Sequence, residues 1–407
     1  MLLLYNFGIS LYNLLLHIVS FFNPKARLFV DGRKNIFKLI AGKTSADRKH
    51  IWFHFASLGE FEQGRPVLEE LKKVYPDKPV IITFFSPSGF EVRKNYPLAE
   101  AIYYLPLDTQ KNAENFIRLI NPEIAIFTKY EFWYHYFKVL KNNNIPLLLI
   151  SGIFRPDQIF FRWYGGFQRN ILKNVTHFFV QNQESKSLLN NLEINAVSIS
   201  GDTRFDRVAE QANSPQQLMQ IEKFRGNTTK VFIAGSTWPQ DEELIASLQQ
   251  RAQDWKFIIA PHEIHESHIK QLSVLFPEAL RYTKLNEDSD LLAGKVLIID
   301  TIGLLSSAYQ YGDISYIGGG FGAGIHNTLE AAAFGMPVIF GPKYQKFQEA
   351  KDLLKIGAAR MVSSKDDLFA AFEMLQKDHQ AGEKSASYVK QHTGSTLQII
   401  KMIKRLI

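Results

Sequence analysis

The chain has 407 residues, 46% of them apolar, no cysteine, and a formal net charge of +7. A chain of this size buries two sizeable cores, and without cysteine it has neither disulfides nor thiolate chemistry. Eight basic residues fall within residues 1–50 against only Asp31 and Asp47, leaving the other 357 residues at about +1, without the spread basic face of a nucleic-acid binder.

Met1 to Phe22 is strongly apolar and long enough to enter or span a bilayer. Its polar residues Asn6, Ser10, Asn13, His17 and Ser20 recur at spacings of four, three, four and three, a narrow uncharged stripe on a helix. Such a helix either crosses a membrane against a partner or lies in the interface with the stripe toward water. A cleavable leader is disfavoured, since a basic n-region and a small-residue cleavage site are missing. The basic cluster that follows suits anionic headgroups on the cytoplasmic side. Residues 1–24 are therefore expected to attach the protein to a membrane.

Short apolar runs then alternate with amphipathic stretches. Strands are expected at Ile51–Phe55, Val80–Phe84, Ile102–Leu105, Ile124–Thr128, Leu147–Ser151, His177–Gln181 and Val197–Ser200, with helical spacing in Arg65–Val74 and Lys111–Ile120. The pattern restarts with strands at Val231–Ala234, Phe257–Ala260, Val296–Asp300, Ile314–Ile317 and Val338–Phe340. The expected fold is α/β, with two Rossmann-like doubly wound domains over 25–205 and 206–407. The segment Leu397–Leu406, apolar on one side and basic on the other, is expected to pack back across them. Two such sheets facing each other form a cleft at the carboxyl ends of their strands, so residues just after each strand carry the chemistry.

Three such places stand out in the first domain. Glu60 follows the first strand in Ala56-Ser57-Leu58-Gly59-Glu60, fixed at a helix start where a general base is useful. Glu131 holds the equivalent place after the fourth strand. A first-turn acid that merely stabilises its helix is the ordinary alternative for either residue alone. Arg204, in Gly201-Asp202-Thr203-Arg204-Phe205-Asp206, can stabilise negative charge or simply pair with Asp202 or Asp206.

In the second domain, Pro261-His262 follows one strand, and a glycine-rich module follows another. Residues 312–342 read as strand, glycine loop (Gly318, Gly319, Gly320, Gly322, Gly324), helix opening near Asn327, and strand. Glycines let backbone approach a ligand, a helix start offers N–H groups to phosphate, and Glu330 is placed to accept from ribose hydroxyls. A turn that only packs a helix on a sheet is the alternative. The strict dinucleotide spacing G-x-G-x-x-G is absent, which disfavours a dehydrogenase. The spacing of His262, His265 and His268 does not gather them on one helix face, so no metal is expected.

Taken in order, these motifs resemble the 3-deoxy-D-manno-octulosonic acid (Kdo) transferases. The resemblance rests on the apolar N-terminus, Ala56 to Glu60, Gly201 to Asp206, Ala234-Gly235-Ser236-Thr237, Asp300-Thr301-Ile302-Gly303 and Gly324-Ile325-His326-Asn327-Thr328-Leu329-Glu330. It implies the GT-B fold and inverting, metal-free transfer of Kdo from CMP-Kdo to a lipid A precursor (lipid IVA) at the cytoplasmic face of the inner membrane. It implies no cofactor. By motif, Glu60 is the base, and Glu131 and Arg204 stabilise the transition state. Pro261, His262, Ile302, Gly303, Leu304, Asn327, Thr328, Leu329 and Glu330 match the CMP-binding segments. His262 stands where the family commonly has arginine, Leu304 where it has glutamate and Thr328 where it has proline. The alternatives are a GT-B transferase using a UDP-sugar and a non-catalytic membrane-bound nucleotide-binding module.

Overall fold

A computed structural model describes residues 1–227, 230–286 and 289–407. Its residues fall into two compact units, one of Met1–Asp206 with Thr393–Ile407, the other of Arg207–His392.

The first unit is built on a seven-stranded parallel sheet: β1 (His50–Phe55), β2 (Val80–Phe84), β3 (Ala101–Tyr104), β4 (Pro122–Thr128), β5 (Leu147–Gly152), β6 (His177–Val180) and β7 (Val197–Ile199), in the order β3-β2-β1-β4-β5-β6-β7. β1 is central, with Trp52 opposite Ile81 and Ala125, and it is buried along its whole length. That burial is why its sequence is mostly apolar rather than alternating, with His50 and His54 the two polar members. Helices cover both faces. Four of them matter below: α1 (Leu2–Ser20), α2 (Pro24–Asp31), α3 (Ile36–Lys43) and α4 (Leu58–Val74).

The second unit carries β8 (Val231–Thr237), β9 (Lys256–Pro261), β10 (Leu280–Arg281), β11 (Val296–Ile298), β12 (Ile314–Ile317), β13 (Val338–Phe340) and β14 (Ala359–Met361), all parallel, in the order β10-β11-β9-β8-β12-β13-β14. All twelve expected strands are present. β10 and β14 are additional; each is short and contains an arginine, so neither leaves an apolar run in the sequence.

One expectation needs correction. The helix Ser395–Leu406 does not belong with the second domain: Ile399, Ile400 and Ile403 join the core around Ile51, Phe53 and Phe55. Asp206 caps the turn before it, accepting from the N–H groups of Gly394 (2.5 Å) and Thr396 (2.7 Å). The aromatic residues between positions 133 and 164 differ in burial. Tyr136 and Phe160 are core, whereas Trp163 is 90% exposed and Tyr164 is exposed too.

α1 rests on the first unit by one stripe only. The Tyr5 hydroxyl donates to Asp108, Asn6 Oδ1 lies 2.7 Å from His135 Nε2, and the Tyr12 ring stacks on Phe85. The rest is bare: Leu3 is 83% and Phe7 66% exposed, and Leu4, Leu14, Leu15 and Ile18 are also open. Part of the polar stripe therefore meets protein rather than water.

Candidate functional site

The two units each present a cluster of polar residues at the carboxyl ends of their strands. In the first unit, β1 ends at Phe55, the chain turns through Ala56 and Ser57, and α4 brings Glu60 round in its first turn. One Glu60 oxygen accepts from the Ala56 N–H at 2.5 Å, folding the carboxylate back over the strand end. Burial, reinforced by the nearby Glu131 carboxylate, pushes Glu60 up to about 7, against the pull of the Ala56 and Ser57 N–H groups and Lys129. A carboxylate poised there can accept a proton near neutral pH.

Glu131 follows β4 through Lys129, whose φ of 64° is left-handed. Strain of this kind in a non-glycine residue persists where surrounding structure holds it, often at functional sites. Glu131 Oε2 accepts from Trp133 Nε1 at 2.8 Å and lies 3.2 Å from His54 Nε2. His54 is fully buried on β1, and its Nδ1 lies 2.8 Å from Thr83 Oγ1, which also accepts from Trp52 Nε1. An ionised carboxylate only accepts, so His54 keeps a proton on Nε2 and donates to Glu131. Sequence reasoning passed over His54; the signal was a second histidine, after His50, in a strand of large apolar residues.

Arg204 takes the ordinary alternative named for it. Its Nε and Nη2 donate to Asp202 Oδ2 at 3.0 and 2.9 Å, and its backbone N–H donates to Oδ1. Gln63 Nε2 completes the cage. Burial alone would raise Asp202, but the Arg204 guanidinium and its hydrogen bonds, with Lys129, hold the carboxyl below its usual range. Glu60, Lys129, Glu131, Asp202 and Arg204 thus form one mutually polarised cluster.

In the second unit the glycine loop is chiefly a packing device. A Cβ on Gly318 would sit 2.3 Å from Ser236 O, and one on Gly320 2.5 Å from Gly341 Cα. These glycines let the ends of β8, β12 and β13 close on one another, so the plainer reading holds for them. Asp241, almost fully buried, pins the loop: it accepts from Gly319 N–H (2.9 Å), Trp238 N–H (3.0 Å) and Tyr316 Oη (2.7 Å).

The helix after the loop begins at Leu329, two residues past Asn327, and runs only to Ala333, so its dipole is small. Asn327 caps it, accepting from Leu329 N–H at 3.1 Å and donating to Glu330 Oε1 at 3.0 Å. Thr328 and Leu329 have fully buried side chains and can offer a ligand only backbone. Pro261 is buried at the end of β9, and His262 is exposed just beyond it. Ile302 is 85% exposed, and Gly303, at φ 95°, has open space where a Cβ would stand.

Three rings distant in sequence meet in this cluster only through the fold. The rings of Trp238, His262 and His326 form a stack, 5.0 Å and 27° between the first two and 4.3 Å and 26° between the histidines. Trp238 Nε1 donates to His326 Nε2 at 3.2 Å, which leaves the His326 proton on Nδ1. Burial and the neighbouring His262 push His326 down to about 4, so it is neutral at physiological pH. His268 is committed elsewhere, its Nε2 2.9 Å from Glu242 and its Nδ1 2.8 Å from Glu263 O.

Two doubly wound parallel units, each gathering its polar groups at the carboxyl ends of its strands, place the protein in the GT-B class. The UDP-GlcNAc 2-epimerase of Neisseria meningitidis, solved bound to UDP-GlcNAc, shares this fold with a TM-score of 0.61 at 16% identity, covering 88% of this chain and 100% of that one. Residues 32–207 match the family model described as 3-deoxy-D-manno-octulosonic-acid transferase (kdotransferase). The 3-deoxy-D-manno-octulosonic acid transferase of Rickettsia bellii is 26% identical over 378 residues, covering 90% of this chain and 88% of the relative. That of Chlamydophila psittaci is 26% identical over 317 residues, covering 75% and 73%. The chain is a homologue of the Kdo transferases, which are glycosyltransferases.

Proposed function

We propose that this protein is an inverting glycosyltransferase that moves Kdo from CMP-Kdo to a lipid A precursor, lipid IVA, at the cytoplasmic face of the inner membrane. The observation that carries the mechanism is the Glu60 carboxylate, buried and pushed up to about 7 at a strand-to-helix turn. Glu60 takes the proton of the acceptor hydroxyl as its oxygen attacks the anomeric carbon of Kdo. The bond from that carbon to the phosphate oxygen breaks, and CMP leaves with the electron pair. Charge builds on the departing phosphate, and fixed donors serve it best. Glu131, held by His54 and Trp133, and Arg204, held by Asp202, supply preset charge around the reacting centre.

CMP is assigned to the second unit: Pro261 and His262, the backbone of Ile302, Gly303 and Leu304, and Asn327 to Glu330, with Thr328 and Leu329 acting through backbone alone. Leu304 brings no charge. This chemistry needs no metal or cofactor. The bare apolar face of α1 is the membrane contact, and its side-on attachment favours a helix lying in the interface over one crossing the bilayer.

Incubation of the full chain with CMP-Kdo and tetraacylated lipid IVA, followed by mass spectrometry of the lipid, tests this reading. The expected product is the acceptor heavier by one or more Kdo units. Transfer from a UDP-sugar instead, or release of CMP without a glycosylated lipid, would overturn it.

His54 supplies a finer test. His54→Phe removes the donor that fixes the Glu131 carboxylate, which is then free to turn away from Glu60 and repels it less. The expected outcome is a stability loss of about 2 kcal/mol from the orphaned buried partners. The pH–rate midpoint should also move to the acid side of wild type. An unmoved midpoint would leave His54 a purely structural role.

A further inference from the structure

Lys129 sits in the first-unit cluster at the carboxyl end of β4, in a backbone conformation that disfavours it. Its φ is 64°, which glycine adopts freely and asparagine tolerates, whereas a lysine there carries strain. The conformation is enforced from both sides. The Lys129 N–H donates to Ile150 O at 3.0 Å, so β4 stays paired with β5 as far as this residue. Just beyond, Glu131 is held by His54 and Trp133. A turn between these fixed points explains the left-handed backbone but not the ammonium group, since glycine makes the same turn without strain.

Charge explains the side chain. The cluster holds three carboxylates, Glu60, Glu131 and Asp202, and two cations, Lys129 and Arg204. Arg204 is committed to Asp202 through Nε, Nη2 and its backbone N–H. Lys129 acts more widely: it opposes the rise that burial imposes on Glu60, and joins Arg204 in opposing burial at Asp202. Its Nζ lies 5.9 Å from the centre of the Tyr130 ring, and the Tyr130 hydroxyl, raised chiefly by burial, is raised further by Glu60. The ammonium is thus near the base without being its hydrogen-bonded partner in the way that His54 serves Glu131.

Kdo brings a further carboxylate. It is a 2-keto sugar acid, so its carboxylate is bonded directly to the anomeric carbon. The transfer proposed above carries that carbon to Glu60, and with it an anion to a place already rich in carboxylates. Like charges repel strongly in a partly buried place unless a cation neutralises them.

We propose that the Lys129 ammonium binds the carboxylate of the Kdo donor and so seats the anomeric carbon for attack beside Glu60, which makes Lys129 a further catalytic residue. This role rests on the Kdo-transfer reading and adds the group that recognises the acid. Lys129 keeps its proton throughout and takes no part in the bonds that form and break at the anomeric carbon.

The test compares CMP-Kdo with its C1 amide, a neutral group of the same shape, as donors to lipid IVA. Wild type should prefer the acid by about 10- to 100-fold in kcat/KM, the range of one charge-assisted hydrogen bond. Lys129→Met should shrink that preference to within about threefold, by slowing transfer from the acid far more than from the amide. Lys129→Arg keeps a cation and should restore most of the preference. Lys129→Gly separates side chain from backbone: it relieves the left-handed strain, so it should melt no lower than wild type and still lose the preference.

Equal losses on both donors in these variants would overturn the proposal and leave Lys129 a counter-charge to the protein's own carboxylates. A wild type that uses the amide as well as the acid would overturn it too. Should wild type transfer nothing from CMP-Kdo while CMP still protects it against heat, the Kdo-transfer reading itself falls, and this role with it.

Discussion

Glu60→Gln is expected to slow Kdo transfer about 10³-fold while making the protein more stable. The two effects share one cause. The folded environment lifts Glu60 from 4.5 to about 7, so the native state favours the protonated carboxyl more than the unfolded chain does. The sign follows: between these pH values the native state binds more protons, and stability falls as pH rises through the window. At full ionisation the cost is up to roughly 3 kcal/mol. Glutamine carries no charge to desolvate and still offers its carbonyl oxygen to the Ala56 N–H. The variant should therefore gain up to that amount in urea denaturation above pH 8 and nothing below pH 4. Wild-type turnover should rise with pH to a plateau above about 7. CMP should protect wild type and variant equally in thermal melts. A variant that keeps its activity would remove Glu60 from the mechanism, and loss of CMP protection would point to a structural role.

Asp241→Ala should be the most damaging change in the second unit. One carboxylate there satisfies Gly319 N–H, Trp238 N–H and Tyr316 Oη, and alanine leaves these groups without their acceptor in a tightly packed place. With about 1–3 kcal/mol for each orphaned donor, and partial relaxation, a loss of about 3–5 kcal/mol is expected. It should appear in the unfolding of residues 207–392, followed by the fluorescence of Trp238 and Trp255. CMP protection should vanish as well, since the glycine loop and the Trp238 stack lose their anchor. Unchanged CMP protection at a temperature where the variant is folded would show that the nucleotide does not depend on this loop.

Reading the chain alone recovered twelve of the fourteen strands because these are largely buried apolar runs, visible one residue after another. It also picked out Glu60 and Glu131, because each follows a strand and opens onto a turn. Other features left no such trace. β10 and β14 have two and three residues and exist only because neighbouring strands offer hydrogen bonds. The glycines at 318 and 320 suggest ligand approach, yet their missing side chains make room for Ser236 and Gly341, far away in sequence. The helix Ser395–Leu406 follows the second unit in the chain but finds its apolar partners around β1.

Fold class, the restart of the strand pattern near residue 206 and the acidic residues at strand ends are properties of neighbouring residues, so the amino-acid order determined them. The pKa of Glu60 and the donor role of His54 were decided only by the tertiary structure. Each depends on desolvation and on Glu131, tens of residues away, and a local pattern contains neither.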